Sequence, residues 1–304
     1  SLAPLHLAAW RGLDDVVERL LSCGASVDVF AGAPYGKLTF LLLAIVKGNI
    51  STATLLLANG ASPNLLHEDN PFSTTLHLVC ILGHTDLVKP LMATASVQAD
   101  PSKLLECYAW WGVSDEPAIL KLLVEEGAGF YNGLVDRLRS RQKYQSLLAL
   151  LHTKEYRNTI TSQGQGPAIA RQFLRSVNLS ELDTEIADQI IRQLFDLSID
   201  TDLCADPDFT LEPLLSPLDF PDMLKLLPIF LERGMDVNRG TNIRTGYLSG
   251  EDLPDSYPGG SLLYQASTYT KYRYKEDSAA QLGVVRLLLQ HGAHIDAQTK
   301  GNCL

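Results

Sequence analysis

The sequence predicts an all-α fold, a solenoid of stacked helix-turn-helix units joined by turns, and three observations carry the prediction. One pattern recurs: Ala3-Pro4-Leu5-His6-Leu7-Ala8-Ala9, followed by Gly12, Val16-Val17, Leu20-Leu21 and Gly24-Ala25, returns as Thr39-Phe40-Leu41-Leu42-Leu43-Ala44, Gly48, Leu55-Leu56-Leu57 and Gly60-Ala61. It returns again as Thr74-Thr75-Leu76-His77-Leu78 with Gly83-His84, and its second half closes the chain in Val284 to Asp296. The spacing is regular. Gly24 and Gly60 lie 36 residues apart and Gly60 and Gly127 lie 67 apart, which is two units of about 33. Each copy also obeys one helical logic, with small residues in its first helix, an apolar stripe in its second and a glycine after each.

Taken in order, the first unit runs to about Asp28, followed by a turn from Val29 to Lys37 that holds Phe30, Pro34, Tyr35 and Gly36. Ala8-Ala9, Ala44 and Ala266 let a helix lie close to its neighbour, while Leu20-Leu21 and Leu55-Leu56-Leu57 need a cover from the next unit. Thr39, Thr74 and Ser261 stand where a hydroxyl caps a first helix. Gly24, Gly60, Gly127, Gly234 and Gly292 each follow a Leu-rich helix, where a stop in the left-handed conformation suits glycine. The second unit spans about 38 to 64. The third follows from Ser73, and Pro90 shortens or kinks its second helix. A fourth starts near Leu104 and closes at Gly127-Ala128.

Beyond Phe130 the wording degenerates while the helical pattern persists. Residues 130 to 151 read as a helix pair, Thr159 to Pro167 as a polar loop, and Ala168 to Ser176 and Leu182 to Leu197 as helices, the last capped by Asn178 or Ser180. A proline-interrupted pair is expected over about 211 to 232, then an expanded turn from Arg239 to Gly260, then a final unit split by an insertion from about Thr268 to Ala280. The organisation is thus 1–130 as four repeats, 131–232 as degenerate helical repeats, and 233–304 as an expanded turn with a last repeat, in one continuous solenoid. Because the middle lacks the small-residue and capping pattern, coupling across it is expected to be weaker. Both ends fall inside repeats, so the expected context is a longer array.

These residues resemble the ankyrin repeat, whose signature is a T-P-L-H-x-A start, a Val- and Leu-rich second helix and a terminal Gly-Ala before a polar turn. Residues 1 to 64 and 280 to 304 fit well, 73 to 130 with losses, and 131 to 232 by spacing alone. Gly259-Gly260-Ser261-Leu262-Leu263-Tyr264-Gln265-Ala266-Ser267 with Asp296-Ala297-Gln298 is similar to arrays of filamentous fungi. The resemblance implies a non-catalytic protein-protein interaction scaffold. It also implies a structural hydrogen-bonding role for His6 and His77, and a family position for His84.

Composition narrows the classes further. The formal net charge is −10 and the pI about 5.1, which argues against nucleic acid as a partner. No apolar run approaches the roughly 20 residues that cross a bilayer, and there is no leader pattern at the first residues. Five scattered cysteines suit reduced thiols in a cytoplasmic or nuclear setting. Charge is polarised in the middle: from Arg137 to Arg175 there are eight Lys or Arg against Glu155, and from Glu181 to Glu212 ten acids against Arg192. That acidic block reads either as a docking surface for a basic partner or as a solvated face.

No catalytic, metal-ligand or phosphate-binding spacing occurs, so the sequence implies no enzyme, no cofactor and no small-molecule substrate. Asp200, Asp202, Asp206 and Asp208 suggest a calcium loop, but Cys204, Ala205 and Leu211 stand where its further ligand, glycine and glutamate belong. The alternating Tyr269 to Lys275 segment reads as a protein-contact loop before a nucleic-acid one. Two alternatives remain beside the scaffold: a substrate-recruiting arm of a larger enzyme or signalling protein, and a catalytic domain of another type.

The candidate site follows from the resemblance, which places two partner-facing residues before the glycine that ends each first helix. Those places hold Trp10-Arg11, Val46-Lys47, Ile81-Leu82 and Trp110-Trp111, a set that contains every tryptophan of the chain. With Phe30 and Tyr35 from the first turn they are expected to form a groove for a protein or peptide, Trp and Arg being the residues most enriched at hot spots. The competing reading packs the tryptophan rings onto the bases of the turns, near Phe30, Tyr35 and Phe72.

Overall fold

The computed structural model describes residues 3–31, 38–64, 74–94, 100–131, 133–197, 218, 220–238, 262–268 and 278–293. All regular structure in them is helical, and the chain divides into two compact units, Ser1–Glu155 and Tyr156–Leu304. The division lies within the stretch whose repeats are degenerate in sequence.

The first unit is a stack of five helix pairs: α1 (Pro4–Arg11) with α2 (Asp14–Ser22), α3 (Phe40–Lys47) with α4 (Ile50–Ala58), α5 (Thr75–Leu82) with α6 (Thr85–Met92), α7 (Pro101–Trp111) with α8 (Pro117–Glu125), and α9 (Leu134–Ser140) with α10 (Tyr144–His152). First helices pack on first helices, and second helices on second helices, in chain order. The small residues make this possible: Ala9 and Ala44 are fully buried, and Phe40 and Leu41 fill the seam between α1 and α3. Of the stripe expected to need cover, Leu56 is buried while Leu20, Leu21, Leu55 and Leu57 are half-buried, and the deepest second-helix residues are Val17, Leu56, Leu87, Leu91, Leu120 and Leu123.

Local signals act as the sequence suggests. Thr39 Oγ1 accepts from the Leu42 amide (3.2 Å) and Thr74 Oγ1 from that of His77 (3.4 Å), while Ser261 lies outside the described residues. The glycines at 24, 60, 127, 234 and 292 all take φ between 80° and 88°, the left-handed stop that a side chain would strain. Pro90 sits within α6, whose eight residues make it short. His6 and His77 bind their own helix starts: the Ala3 amide donates to His6 Nδ1 (3.0 Å) and Thr74 Oγ1 shares a hydrogen bond with His77 Nδ1 (2.8 Å). The His6 ring also meets Phe40 of the next pair edge-on at 4.2 Å.

Successive pairs are stitched by side chains that reach from one helix start to the next. Asp14 accepts from the hydroxyls of Ser51 (2.5 Å) and Thr52. Asn49 Nδ2 donates to the carbonyls of Ala9 (2.8 Å) and Trp10 (3.1 Å), and His84 Nε2 meets the Ile45 carbonyl at 2.8 Å. The densest stitch joins the fourth pair to the fifth. Asp115 accepts from the amides of Gln145 (2.7 Å) and Ser146 (3.0 Å) and from Ser146 Oγ (2.5 Å), so it caps α10 from the preceding pair. Tyr108, fully buried, shares a hydrogen bond with Ser146 Oγ (2.8 Å) and accepts from the Glu116 amide (2.7 Å). Lys143 donates to the Ser114 carbonyl and lies 4.1 Å from the Tyr108 ring centroid, its pKa lowered chiefly by burial.

The second unit contains α11 (Lys154–Ser162, which crosses the division), α12 (Gly166–Ser176), a 3₁₀ turn at Leu179–Glu181, α13 (Thr184–Leu197), α14 (Phe220–Glu232), α15 (Leu262–Thr268) and α16 (Ser278–Gln290). α12 packs on α13, α13 on α14, and α14 and α15 on α16. Phe173, Ile190, Leu194, Phe230 and Leu288 form its core, with Phe195 edge-on to Phe230 at 5.6 Å.

Four sequence expectations change here. Thr159 to Ser162 belong to α11, leaving only three residues of the expected loop before α12, because Tyr156 and Ile160 bury a helical stripe. The cap of α13 is Asp183, whose Oδ1 accepts from Glu185 (3.0 Å) and Ile186 (3.2 Å), whereas Asn178 caps the 3₁₀ turn. Pro221 and Pro228 lie in the single helix α14, with residues 211–217 outside the described set. The last helix begins at Ser278, inside the span read as an insertion.

Candidate partner-binding surface

The geometry of the candidate surface starts from how first helices end. Gly12 (φ 69°), Gly48 (73°) and Gly83 (85°) turn left-handed at the ends of α1, α3 and α5, which leaves the two preceding residues at the rim of the helix layer. At the end of α9 the same turn is made by Gln142 at φ 55°, the one non-glycine in this region of backbone space among the described residues. Counting back from Gln142 aligns Ser140 and Arg141 with Trp10 and Arg11. α7 ends otherwise: Gly112 is extended (φ −53°, ψ 129°), and a Cβ there would meet Lys143 Nζ and the Tyr108 carbonyl oxygen, each at 2.6 Å.

Trp10 is 42% exposed, Val46 47%, Trp110 36% and Trp111 57%, and Arg11 and Lys47 are exposed as well. Leu82 is half-buried. Ile81 is not part of the open surface: it is buried, because the extended exit from α7 carries Val113 back over α5, where the Val113 amide donates to the Ile81 carbonyl at 2.8 Å. Phe30 is 39% exposed on the turn after α2, and Tyr35 and Phe72 lie outside the described residues.

The tryptophans meet cations from the next first helix. Lys47 Nζ stands 3.9 Å from the Trp10 ring centroid and Arg137 Cζ 3.2 Å from that of Trp110. Such pairs are worth about 0.5–1 kcal/mol at exposed sites, enough to hold each indole in place. Leu7, one turn before Trp10, and Val113 add exposed apolar area. Sequence reasoning missed Arg137, Arg141, Leu7 and Val113. The first two could be found only by aligning on Gln142, which does not announce itself as a helix stop. The last two lie outside the two-residue register that the resemblance supplies.

Among the described residues no group of three or more His, Cys, Asp or Glu is placed to hold a metal ion, and no helix is long and apolar enough to cross a membrane. The aspartates between 200 and 208 and the Tyr269–Lys275 segment lie outside the described residues, as does most of the Asp-rich half of the acidic block. Cys80, buried, has its thiol pushed up to about 12 by desolvation, and Cys107 up to about 11. Neither is a thiolate nucleophile at neutral pH.

Stacked helix pairs with stereotyped left-handed glycine stops and side-chain stitches between pairs define a helical repeat protein. The family model for the ankyrin repeat matches residues 2–30 and 278–300. The chain thus carries ankyrin repeats at these two stretches, and ankyrin repeats are generally protein-protein interaction modules, typically without catalysis.

Proposed function

We propose that this chain is a non-catalytic interaction scaffold, and that the rim formed by the first helices of unit one seats a partner protein or peptide. The observation that carries the reading is the line of half-exposed Trp10, Val46, Trp110 and Trp111, flanked by Arg11 and Lys47. Large rings held at a surface by cations, in place of being folded into the core, supply apolar area and a polar edge without loss of side-chain freedom on binding. Membership of a longer enzyme or signalling protein as its recruiting arm uses the same surface. The scattered, reduced-type cysteines support a cytoplasmic or nuclear setting.

Affinity capture with the full chain, compared with its Trp110→Ala/Trp111→Ala variant, tests the proposal. Both indoles are partly exposed, so the variant is expected to fold with an unchanged circular dichroism spectrum and to lose roughly 2 kcal/mol or more of binding to partners captured by the parent. Equal capture by the two proteins, with the variant folded, refutes the assignment. A variant that unfolds assigns the tryptophans to the core instead.

A further inference from the structure

We infer that the occupant of this rim is an acidic peptide segment bearing apolar anchors, its carboxylates meeting Arg11, Lys47 and Arg141 and its anchors lying against Trp10 and the Trp110-Trp111 pair. The inference rests on the docking reading above and names the class of its occupant.

Charge is sorted by layer in unit one. Residues 1–155 carry twelve Lys or Arg against fifteen Asp or Glu, so the unit as a whole is acidic. Each first helix has three places in the rim register, the two before the stop and the one a turn earlier, as in Leu7, Trp10 and Arg11; Leu43 and Ile81 are the two of these that are buried. Across the five helices these fifteen places hold all three tryptophans, four cations (Arg11, Lys47, Arg137, Arg141) and no carboxylate. The only acids on the five helices, Glu106 and Asp136, occupy the place that His6 and His77 hold, and Asp136 has Arg139 3.9 Å away. Apart from Glu155 on α11, the remaining described acids of the unit sit on second helices and turns, as Asp14, Asp15, Glu18, Asp86, Glu125 and Glu126 do. A cationic line on an acidic body orients and accelerates the approach of a negatively charged segment and repels a basic one.

The aromatic groups select among anions. Lys47 covers one face of Trp10, and the Arg137 guanidinium lies on Trp110. Non-specific single-strand binding stacks bases on open aromatic faces in a continuous basic groove; here two rings are already covered and the surrounding unit is acidic. A carboxylate, by contrast, can accept from a guanidinium in two parallel hydrogen bonds while a neighbouring Leu or Phe lies on the exposed indole edge. The reach is peptide-sized. Neighbouring helices pack about 8–10 Å apart, so Trp10 and Trp110, three helix spacings apart, are separated by roughly 25–30 Å. About eight or nine extended residues span that distance at roughly 3.3–3.6 Å each.

Selection of phage-displayed random dodecapeptides on the immobilised full chain tests this. The expected peptides are enriched in Asp and Glu beside Leu, Phe or Trp. The strongest, made synthetically, is expected to bind the Arg11→Glu/Arg141→Glu variant at least tenfold more weakly, and to bind the parent more weakly as salt rises from about 50 to 300 mM, where screening shortens the reach of exposed charges. Both arginines are exposed, and Arg11→Gln/Arg141→Gln, expected to weaken binding by a smaller factor, replaces the reversal if that protein misfolds. Neutral or basic peptides that still depend on Trp110 and Trp111 would overturn the acidic occupant and leave the docking reading standing. No enrichment, or binders indifferent to both the arginine and tryptophan variants, would overturn both. Displacement of the bound peptide by micromolar single-stranded oligonucleotide, itself bound by the parent and lost in the arginine variant, would assign the rim to nucleic acid and overturn the inference.

Discussion

Replacing Asp115 with Ala should uncouple the fifth helix pair from the fourth. The carboxylate accepts three hydrogen bonds from α10, two from backbone amides at its first turn and one from the hydroxyl of fully buried Ser146. Loss of a helix cap costs about 0.5–2 kcal/mol, and stranding a buried donor about 1–3 kcal/mol. Tyr108 still engages the Ser146 hydroxyl and water can reach the outer amide, so the sum is roughly 2–3 kcal/mol, with Asp115→Asn losing about half because one acceptor oxygen remains. Urea unfolding followed by tryptophan fluorescence is the assay, since all three tryptophans lie in unit one and report it alone. The exposed Glu18→Ala variant should stay within about 0.5 kcal/mol of the parent. If Asp115→Ala does the same, capping between pairs is not what joins them.

Three further outcomes are expected. Gly166→Ala should destabilise unit two by roughly 1–3 kcal/mol in spite of alanine's better helix propensity, because its Cβ would overlap the Leu197 carbonyl oxygen and lie 2.9 Å from its carbon; a gain in thermal stability would contradict the packing of α12 on α13. Gln142→Gly should stabilise unit one by about 1 kcal/mol by relieving a left-handed non-glycine residue, read in the same urea assay, and a loss would show that the Gln142 side chain contributes more than its backbone strain costs. His6 and His77 both have pKa values lowered, first of all by burial. The unfolded chain therefore takes up protons near pH 6.5 that the folded chain refuses, so stability is full above that pH and falls as the pH drops from about 7 toward 5. The slope should flatten in His6→Gln/His77→Gln, and an unchanged slope would remove these histidines from the account.

Much of the fold was legible because its determinants are local. A glycine that must turn left-handed after an apolar helix, or a threonine that caps the apolar helix directly after it, announces itself in a window of ten residues, and Gly24, Gly60, Gly127, Thr39 and Thr74 all behave accordingly. What was missed depends on contacts about 30 residues away. Asp115 caps a helix of the following pair, and nothing in its own neighbourhood distinguishes it from a solvated acid. Gln142 takes the place of a glycine because the fifth pair is held by Lys143, Tyr108 and Asp115, which override the local preference. The site divides in the same way: Trp10, Val46, Trp110 and Trp111 stand open where the repeat register puts them, while Ile81, in the same register, is covered by the unusual exit from α7.

The most direct test of the central claim is hydrogen exchange of the full chain with and without its strongest selected peptide. Docking on the first-helix rim predicts slowed exchange at the helix ends around residues 10–13, 46–49, 110–113 and 140–142, with the second helices α2, α4, α6 and α8 unchanged. Protection confined to those second helices, or to residues 156–304, would contradict it.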